Sequence, residues 1–445
     1  MGRGRVVLME AGLQSKIVIV GGGAGGLELA CKMGRKLGRE NVILVDSRLY
    51  HIWKPSLHEV AAGTLDIHQE GLSYQMLAHD RGFTFVYGEM TALDSAAKHI
   101  TVAPVVSAAD GEEVLPQRRI DYDSLVMAVG STSNYFGVPG ARENTISLNA
   151  TEDAERFRLR LLRLLAQAAE HKDPATRGGL DIVIIGGGAT GVELAAELRE
   201  ASGAYAAYGF NRLQVQRDVR ITLIEGAARI LAPLPERVSA AATRLLEQRA
   251  IQVVTDCRVT AIDKHQVSDA NGNAYPADMC VWAAGIRAPE FLGTLGLPVN
   301  KGGQIEVDAH LRVPGVPDVY ALGDCAACLD GNGKPVPPRA QAAHQQADYL
   351  LKNFMNAATG HTPLRHPYVY RDYGSLVSIG HQTTVGSLMG SLRGASWFVE
   401  GFMARIMYLS LHMLHHKAVL GTMRTGLMTL GRFLIRRGTP IVKLH

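Results

Sequence analysis

The sequence predicts an α/β chain in which one Rossmann-like strand–turn–helix unit occurs twice, followed by a helical C-terminal module. Three observations carry this. Residues Ile17 to Ala30 read IVIVGGGAGGLELA and Ile182 to Ala195 read IVIIGGGATGVELA, identical at 11 of 14 positions. Each copy is followed by an apolar run closed by an acid (NVILVD, ending at Asp46; RITLIE, ending at Glu225) and later by a run ending in small residues (LVMAVG to Gly130; CVWAAG to Gly285). Finally, residues 401–445 hold seven Lys/Arg and no Asp or Glu, so the other 400 residues carry a net −3.

Taken in order, each element has a physical reason. A β-branched run suits a buried parallel strand, the Gly-x-Gly-x-x-Gly that follows makes a tight turn, and a helical apolar pattern continues. Gly21 and Gly186 permit the turn, Gly23 and Gly188 let backbone approach a pyrophosphate, and Gly26 and Gly191 let helix and strand pack closely. Phosphates then meet unpaired amides at the positive end of a helix dipole. Asp46 and Glu225 stand where a ribose hydroxyl is bound. In the second copy the acid comes later, and Ala201 to Arg217 reads as a longer crossover helix plus a loop. Residues 150–169 have helical spacing and read as a connector. Val319-Tyr-Ala-Leu-Gly-Asp324 is a strand ending in Gly-Asp, the position of a ribitol-binding acid in FAD folds of this kind.

The expected order is an FAD-binding domain over 16–149 and 290–375, a nicotinamide domain over 150–289, and a C-terminal module over 376–445. A chain of 445 residues suits two or three such domains. Disorder is excluded by 47% hydrophobic and 20% charged residues. Five cysteines, an odd number, exclude a secreted disulfide framework. Cys325 and Cys328 read as structural. No run of about 18 uncharged apolar residues exists to span a bilayer, and the N-terminus lacks a signal-peptide core, so a cytoplasmic location is expected. A disulfide reductase of this pattern needs a cysteine after Asp46, and RLYHIWKPSLHEVAAG has none. A soluble ferredoxin-type reductase is the alternative reading. The basic tail lacks the interleaved aromatics of a nucleic-acid binder.

Beyond these features, HIWKPSLHEVAAGTLD (51–66), WAAGIRAPEFL (282–292), YALGDCAAC (320–328), VPPRAQAAHQ (336–345) and the ending GLMTLGRFLIRRGTPIVKLH carry a resemblance over essentially the whole chain. The chain resembles the type II NADH:quinone oxidoreductases, the enterobacterial-type respiratory NADH dehydrogenases in particular, within the two-dinucleotide-binding flavoproteins. The resemblance implies FAD on Gly21, Gly23, Gly26, Asp46, Lys54, Gly130, Gly323, Asp324 and Gln341. It implies NADH on Gly186, Gly188, Gly191, Glu193, Glu225 and Gly285. Catalysis falls to Gln341 and Gln345, at the flavin ring and quinone pocket, and to Glu193, which would hold the nicotinamide carboxamide or ribose. Glu197, one turn on, reads as a surface charge or a crossover ion pair. No metal is implied. The implied reaction passes hydride from NADH to FAD and two electrons to a membrane quinone, ubiquinone or menaquinone, without pumping ions.

The tail adds an expected partner, the anionic lipid on the cytoplasmic face of the cell membrane. Phe402, Ile406, Leu409, Met413 and Leu420 form one apolar stripe and Leu427, Leu430 and Leu434 another, with Arg405, His412 and His416 on a different face. A homodimer is left open, and nucleic acid is not a partner.

Overall fold

The computed structural model describes residues 15–170, 179–210, 212–362, 364–380, 384–389, 396–400, 402–435 and 442–443. These fall into two compact units, one of residues up to 51, 72–131 and 288–371, the other of 52–71, 132–287 and 372–445.

The first unit is built on a five-stranded sheet, all parallel, in the order Val319–Ala321, Ser124–Met127, Ile17–Val20, Val42–Asp46, Thr84–Tyr87. Its central strand, IVIV, is buried along its whole length, as a strand covered on both faces must be. The helix Ala24–Leu37 follows the glycine turn, and Arg35 and Lys36 in its last turn suit the negative end of its dipole. An antiparallel sheet of Met90–Asp94, His99–Val102 and Arg118–Asp121 supplies Ile100 and Val102 to the same core.

In the second unit the plan recurs. Another parallel five-stranded sheet runs Ile146–Ser147, Met279–Trp282, Leu180–Ile185, Val219–Ile224, Ile251–Val254. Its antiparallel companion is Val259–Ile262, Gln266–Asp269 and Ala274–Pro276. The connector is the helix Thr151–Glu170, and the long crossover is the helix Ala189–Tyr208, followed by the short helix Val215–Asp218. The connector and the long crossover match the sequence reading, and the short helix stands in the stretch that reads as a loop.

The grouping of residues departs from the sequence boundaries in three places, each for a packing reason. Residues 52–71 join the second unit because Leu57, Val60, Ala61 and Ala62, from the helix Leu57–Ala62, share a core with Phe157, Leu161 and Tyr205. Residues 132–149 follow because Ile146–Ser147 pairs with Met279–Trp282 and Thr132–Ser133 with Ile286–Arg287. The C-terminal residues group with the second unit, where Val377, Ile379, Val385 and Val442 enter that same core. Three antiparallel strands (Gly374–Ser378, Thr384–Met389, Ser396–Glu400) precede two terminal helices, Phe402–Leu420 and Thr422–Ile435.

Close helix–strand packing leaves no room for a side chain at Gly191, where a Cβ would collide with the Gly186 carbonyl oxygen. Gly191→Ala is therefore expected to destabilise the second unit by about 1–3 kcal/mol, the usual cost of overpacking. A thermal melt that leaves Tm unchanged in the variant would show that this contact relaxes without cost.

Candidate functional site

Two loops of the same construction dominate the structure. In the first unit Gly21 takes φ +104° and its N–H donates to Val45 O at 2.8 Å. The Asp46 carboxylate accepts from Gly22 N at 2.6 Å and from Arg48 N at 2.8 Å. In the second unit Gly186 takes φ +112° and donates to Ile224 O at 2.8 Å, while Glu225 accepts from Gly187 N at 2.6 Å and Ala227 N at 2.8 Å. Each acid takes one amide from its glycine loop and one from the turn just after itself, which holds the loop amide in place before any ligand arrives.

Nothing stands within 4 Å of the positions a Cβ would take at Gly23 or Gly188. Each is the N-cap of its helix, with no side-chain cap hydrogen bond. Open space in front of helix amides without a capping side chain is what a pyrophosphate requires, so both loops fit a dinucleotide, FAD in one and NADH in the other. Returning strands end at Gly130 (φ +71°) and Gly285 (φ +70°), and the Gly285 Cβ position faces the Phe136 ring.

Around the first loop the structure adds residues that the motif does not name. Tyr74, buried, donates its hydroxyl to Gly22 O at 2.7 Å, and His51 Nδ1 lies 3.0 Å from the same oxygen. Burial and the neighbouring Asp46 charge push the Tyr74 phenol well up, so it stays a donor. Asp324 lies in a short 3-10 turn, Gly323–Cys325, and accepts from Ser131 Oγ at 2.7 Å. Gly323 N donates to Gln346 Oε1 at 2.7 Å. Gln346 is 1% exposed and belongs to the helix Ala340–Ala358. A signal for it existed, since Ala343, Gln346, Ala347 and Leu350 follow the buried stripe of that helix. Ser131 directly follows the Gly130 turn.

Gln341 and Gln345 sit in the first two turns of that helix, both half-buried. Gln345 is clamped at both ends of its amide, donating to Arg371 O at 2.9 Å and accepting from Arg371 N at 3.0 Å. Lys54 is exposed, in the 3-10 turn Lys54–Ser56, and belongs to the second unit. Cys325 and Cys328 are both buried, and burial lifts each thiol to about 11. Neither has the lowered pKa of a reactive thiol.

A buried acidic cluster forms the other distinctive feature, entirely within the second unit. Glu193 is 7% exposed and accepts from Ser378 N at 3.0 Å, and its other oxygen lies 3.7 Å from His58 Nδ1. Desolvation raises its pKa to about 8; the Ser378 hydrogen bond opposes the shift, and the charges of Glu59 and Glu197 add to it. Glu197 corrects the sequence reading of a surface charge. It is 3% exposed and accepts from the Thr64 hydroxyl, because that face of the crossover helix packs on the helix Leu57–Ala62.

The tail also departs from expectation. His416 is 5% exposed, and Arg432 turns inward to pair with Glu70. Lys443 pairs with Asp66 at 3.1 Å. Leu420 is buried whereas Met413 is exposed, so these two members of the first stripe part company. The side chains of Phe402, Arg405, Ile406 and Leu409, and residues Arg436 and Arg437, lie outside the described residues. No helix among those described is long and apolar enough to cross a membrane.

Two parallel sheets, each carrying an open glycine loop braced by the acid of its neighbouring strand, define a flavoprotein reductase with two dinucleotide sites. A family model, Pyridine nucleotide-disulphide oxidoreductase, matches residues 15–347. The type II NADH:quinone oxidoreductase of Haemophilus influenzae is 38% identical, over 96% of this chain and 99% of that one. The corresponding enzyme of Mycobacterium tuberculosis is 28% identical over 89% and 83%. Among solved structures, NDH2 from Plasmodium falciparum in complex with NADH superposes with a TM-score of 0.81 at 21% identity, covering 97% of this chain and 100% of that one. The chain belongs to the type II NADH:quinone oxidoreductases of the pyridine nucleotide-disulphide oxidoreductase family.

Burial of Glu193 has a pH consequence. A folded-state pKa of about 8 against an ordinary 4.5 means that the folded chain holds a proton that the unfolded chain releases. Its contribution is fully favourable below about 4.5 and is lost as pH rises to about 8. Glu193→Gln is expected to flatten that part of the stability profile. Denaturant unfolding at pH 5 and pH 8.5 (both set by about the two pKa limits) checks it, and parallel profiles for the two proteins would refute the buried-acid assignment.

Proposed function

We propose that this chain oxidises NADH through bound FAD and delivers two electrons to a membrane quinone, moving no ions across the membrane. The observation that carries this is the match to the Haemophilus influenzae enzyme over 96% of the chain and 99% of that enzyme. FAD, when bound, supplies a ring that takes a hydride from NADH and returns two electrons to quinone. The protein's own part is to position, exclude water and hold protons.

In this reading the first loop, with Gly21, Gly23, Gly26, Asp46, Gly130, Gly323 and Asp324, holds FAD. Ser131 fixes the Asp324 carboxylate and Gln346 fixes the Gly323 amide, so the groups facing the cofactor are ordered by buried neighbours. Gln341 completes the FAD set within the first unit. The second loop, with Gly186, Gly188, Gly191, Glu225 and Gly285, holds NADH, and Glu193 stands at its helix as a largely protonated donor at neutral pH. Gln345, through its clamp on Arg371, sets the backbone beside the quinone pocket.

Glu225 would repel the additional phosphate of NADPH, and the flanking arginines are engaged elsewhere. Arg220 pairs bidentately with Asp181 at 2.6 and 2.7 Å, and Arg229 donates to the Ala232 and Leu234 carbonyls. The purified protein should be yellow and reduce a short-chain quinone with NADH at a kcat/KM at least about tenfold above that for NADPH, the worth of roughly 1.4 kcal/mol. Equal values for the two donors would defeat the Glu225 assignment, and absence of quinone reduction would defeat the function.

The last helix is inverted relative to a core helix, which supports docking on the anionic lipid of the cytoplasmic face. Met423, Leu427, Leu430 and Leu434, spaced four, three and four apart, are 57–80% exposed, while Thr425 on the opposite face is 5% exposed. Lys417 and Arg424 stand exposed on the same terminal helices. Each Leu or Met passing from water into hydrocarbon gains about 1.5–3 kcal/mol. The double variant Leu427→Glu, Leu430→Glu should leave flavin content intact and no longer float with phosphatidylglycerol-containing vesicles. Flotation equal to that of the unaltered chain would place the anchor elsewhere.

A further inference from the structure

Glu70, His412 and His416 bring one carboxylate oxygen and two imidazole nitrogens within 4.8 Å of one another, within a single unit. The two histidines are four apart on the helix Phe402–Leu420, hence on one face, as in helical metal-binding pairs. Glu70 ends the short helix Ile67–Glu70 and is 11% exposed at its side chain. We propose that these three side chains form a binding site for a divalent transition metal, Zn²⁺ in the first place, which ties that short helix to the terminal helices.

Three features of the cluster favour a metal over a chance meeting of polar groups. His416 Nδ1 lies 3.0 Å from the His412 carbonyl oxygen, and only an N–H can donate there. The Nε2 atom is therefore left with its lone pair directed toward Glu70, an outer hydrogen bond of the kind that orients metal-bound imidazole. Tetrahedral zinc bonds of about 2.0–2.1 Å place ligand atoms about 3.4 Å apart, so the cluster needs a closure of at most about 1.4 Å, within reach of side-chain rotation.

The third feature is that a cation already occupies the spot. Arg432 reaches in from the last helix, its Nη2 pairing with Glu70 and standing 3.4 Å from His416 Nε2. It fits poorly, because its buried Nε has no hydrogen-bond partner. A guanidinium held by one arm with an orphaned donor is a weak competitor. Trp53 stacks at 6.3 Å from His412 and lies tilted 4.4 Å from His415, so an apolar ring stands beside His412. Two imidazoles and one carboxylate suit zinc or another late first-row ion and not calcium or magnesium.

The test is titration of the full-length, flavin-loaded chain with ZnCl₂ by calorimetry, and with Co²⁺ followed by its ligand-field bands beyond the flavin absorption. One ion per chain is expected. His412→Ala and Glu70→Gln should each weaken binding by at least about tenfold, the lower end of what loss of even an outer-shell partner costs. Arg432→Gln should tighten it, a result that a site merely packed by Arg432 would not give, and flavin content in each variant reports that the chain has folded. Absence of saturable binding, binding seen in Arg432→Gln alone, or binding that survives both ligand substitutions would overturn the proposal.

Discussion

Each dinucleotide loop depends on one hydrogen bond between the acid that ends the second strand and the amide of the middle glycine, Asp46 to Gly22 and Glu225 to Gly187. Sheet register makes that bond possible. Val20 is level with Val45 and Ile185 with Ile224, so in both units the acid stands one step beyond the last paired residue, beside the turn. A one-residue slip would carry the carboxylate to the opposite face of the sheet. The middle position must be glycine for the same reason, because a Cβ at Gly187 would come within 3.0 Å of Glu225 and one at Gly22 would strike the Tyr74 ring.

Once the loops are fixed in the same way, the differences between the copies become informative. Glu28 and Glu193 occupy the same position of the repeat, and both are buried. Glu28 meets Lys32 and His344, whose Nδ1 is 2.6 Å away, and Asp348 closes the network on Lys32 at 2.6 Å. The hydrogen bond to Glu28 raises the His344 pKa, which keeps a cation against the carboxylate. Among the described residues no Lys or Arg is paired with Glu193, which meets a backbone amide and a histidine at 3.7 Å, with two more carboxylates close by. A buried acid without a countercharge takes up a proton, whereas one with a countercharge becomes part of the scaffold. The same residue in the same fold is thus a structural ion pair in one copy and a proton-holding group in the other.

The parts of this molecule governed by local rules were legible from the chain. Strand, turn, helix and acid recur with fixed spacing, so the two loops, the returning strands and the long crossover helix could be read from the residues. Residues whose position depends on tertiary packing could not. Nothing near Glu197 in sequence announces that Thr64 and the helix Leu57–Ala62 will cover it. Nor does the HIWKPSLHEV segment announce that its residues leave the first unit after His51 and return at Leu72. Gln346 is the intermediate case, since the neighbouring Gln341 and Gln345 drew attention by type while the buried stripe of their helix selects Gln346.

Charge counting failed in the tail for a related reason. Seven basic residues without an acid look like a surface for anions, but the acids that neutralise two of them come from residues 52–71, distant in sequence and adjacent in space. Arg432 meets Glu70 and Lys443 meets Asp66. Net charge of a segment measures its field only where the segment is not already paired. The apolar pattern survives that correction, because exposure of Met423, Leu427, Leu430 and Leu434 is a property of the folded helix and not of its composition. A helix that buries Thr425 and pairs Arg432 inward while presenting leucines outward has inverted the usual arrangement, and that outward apolar row is the surface on which the proposed lipid docking rests.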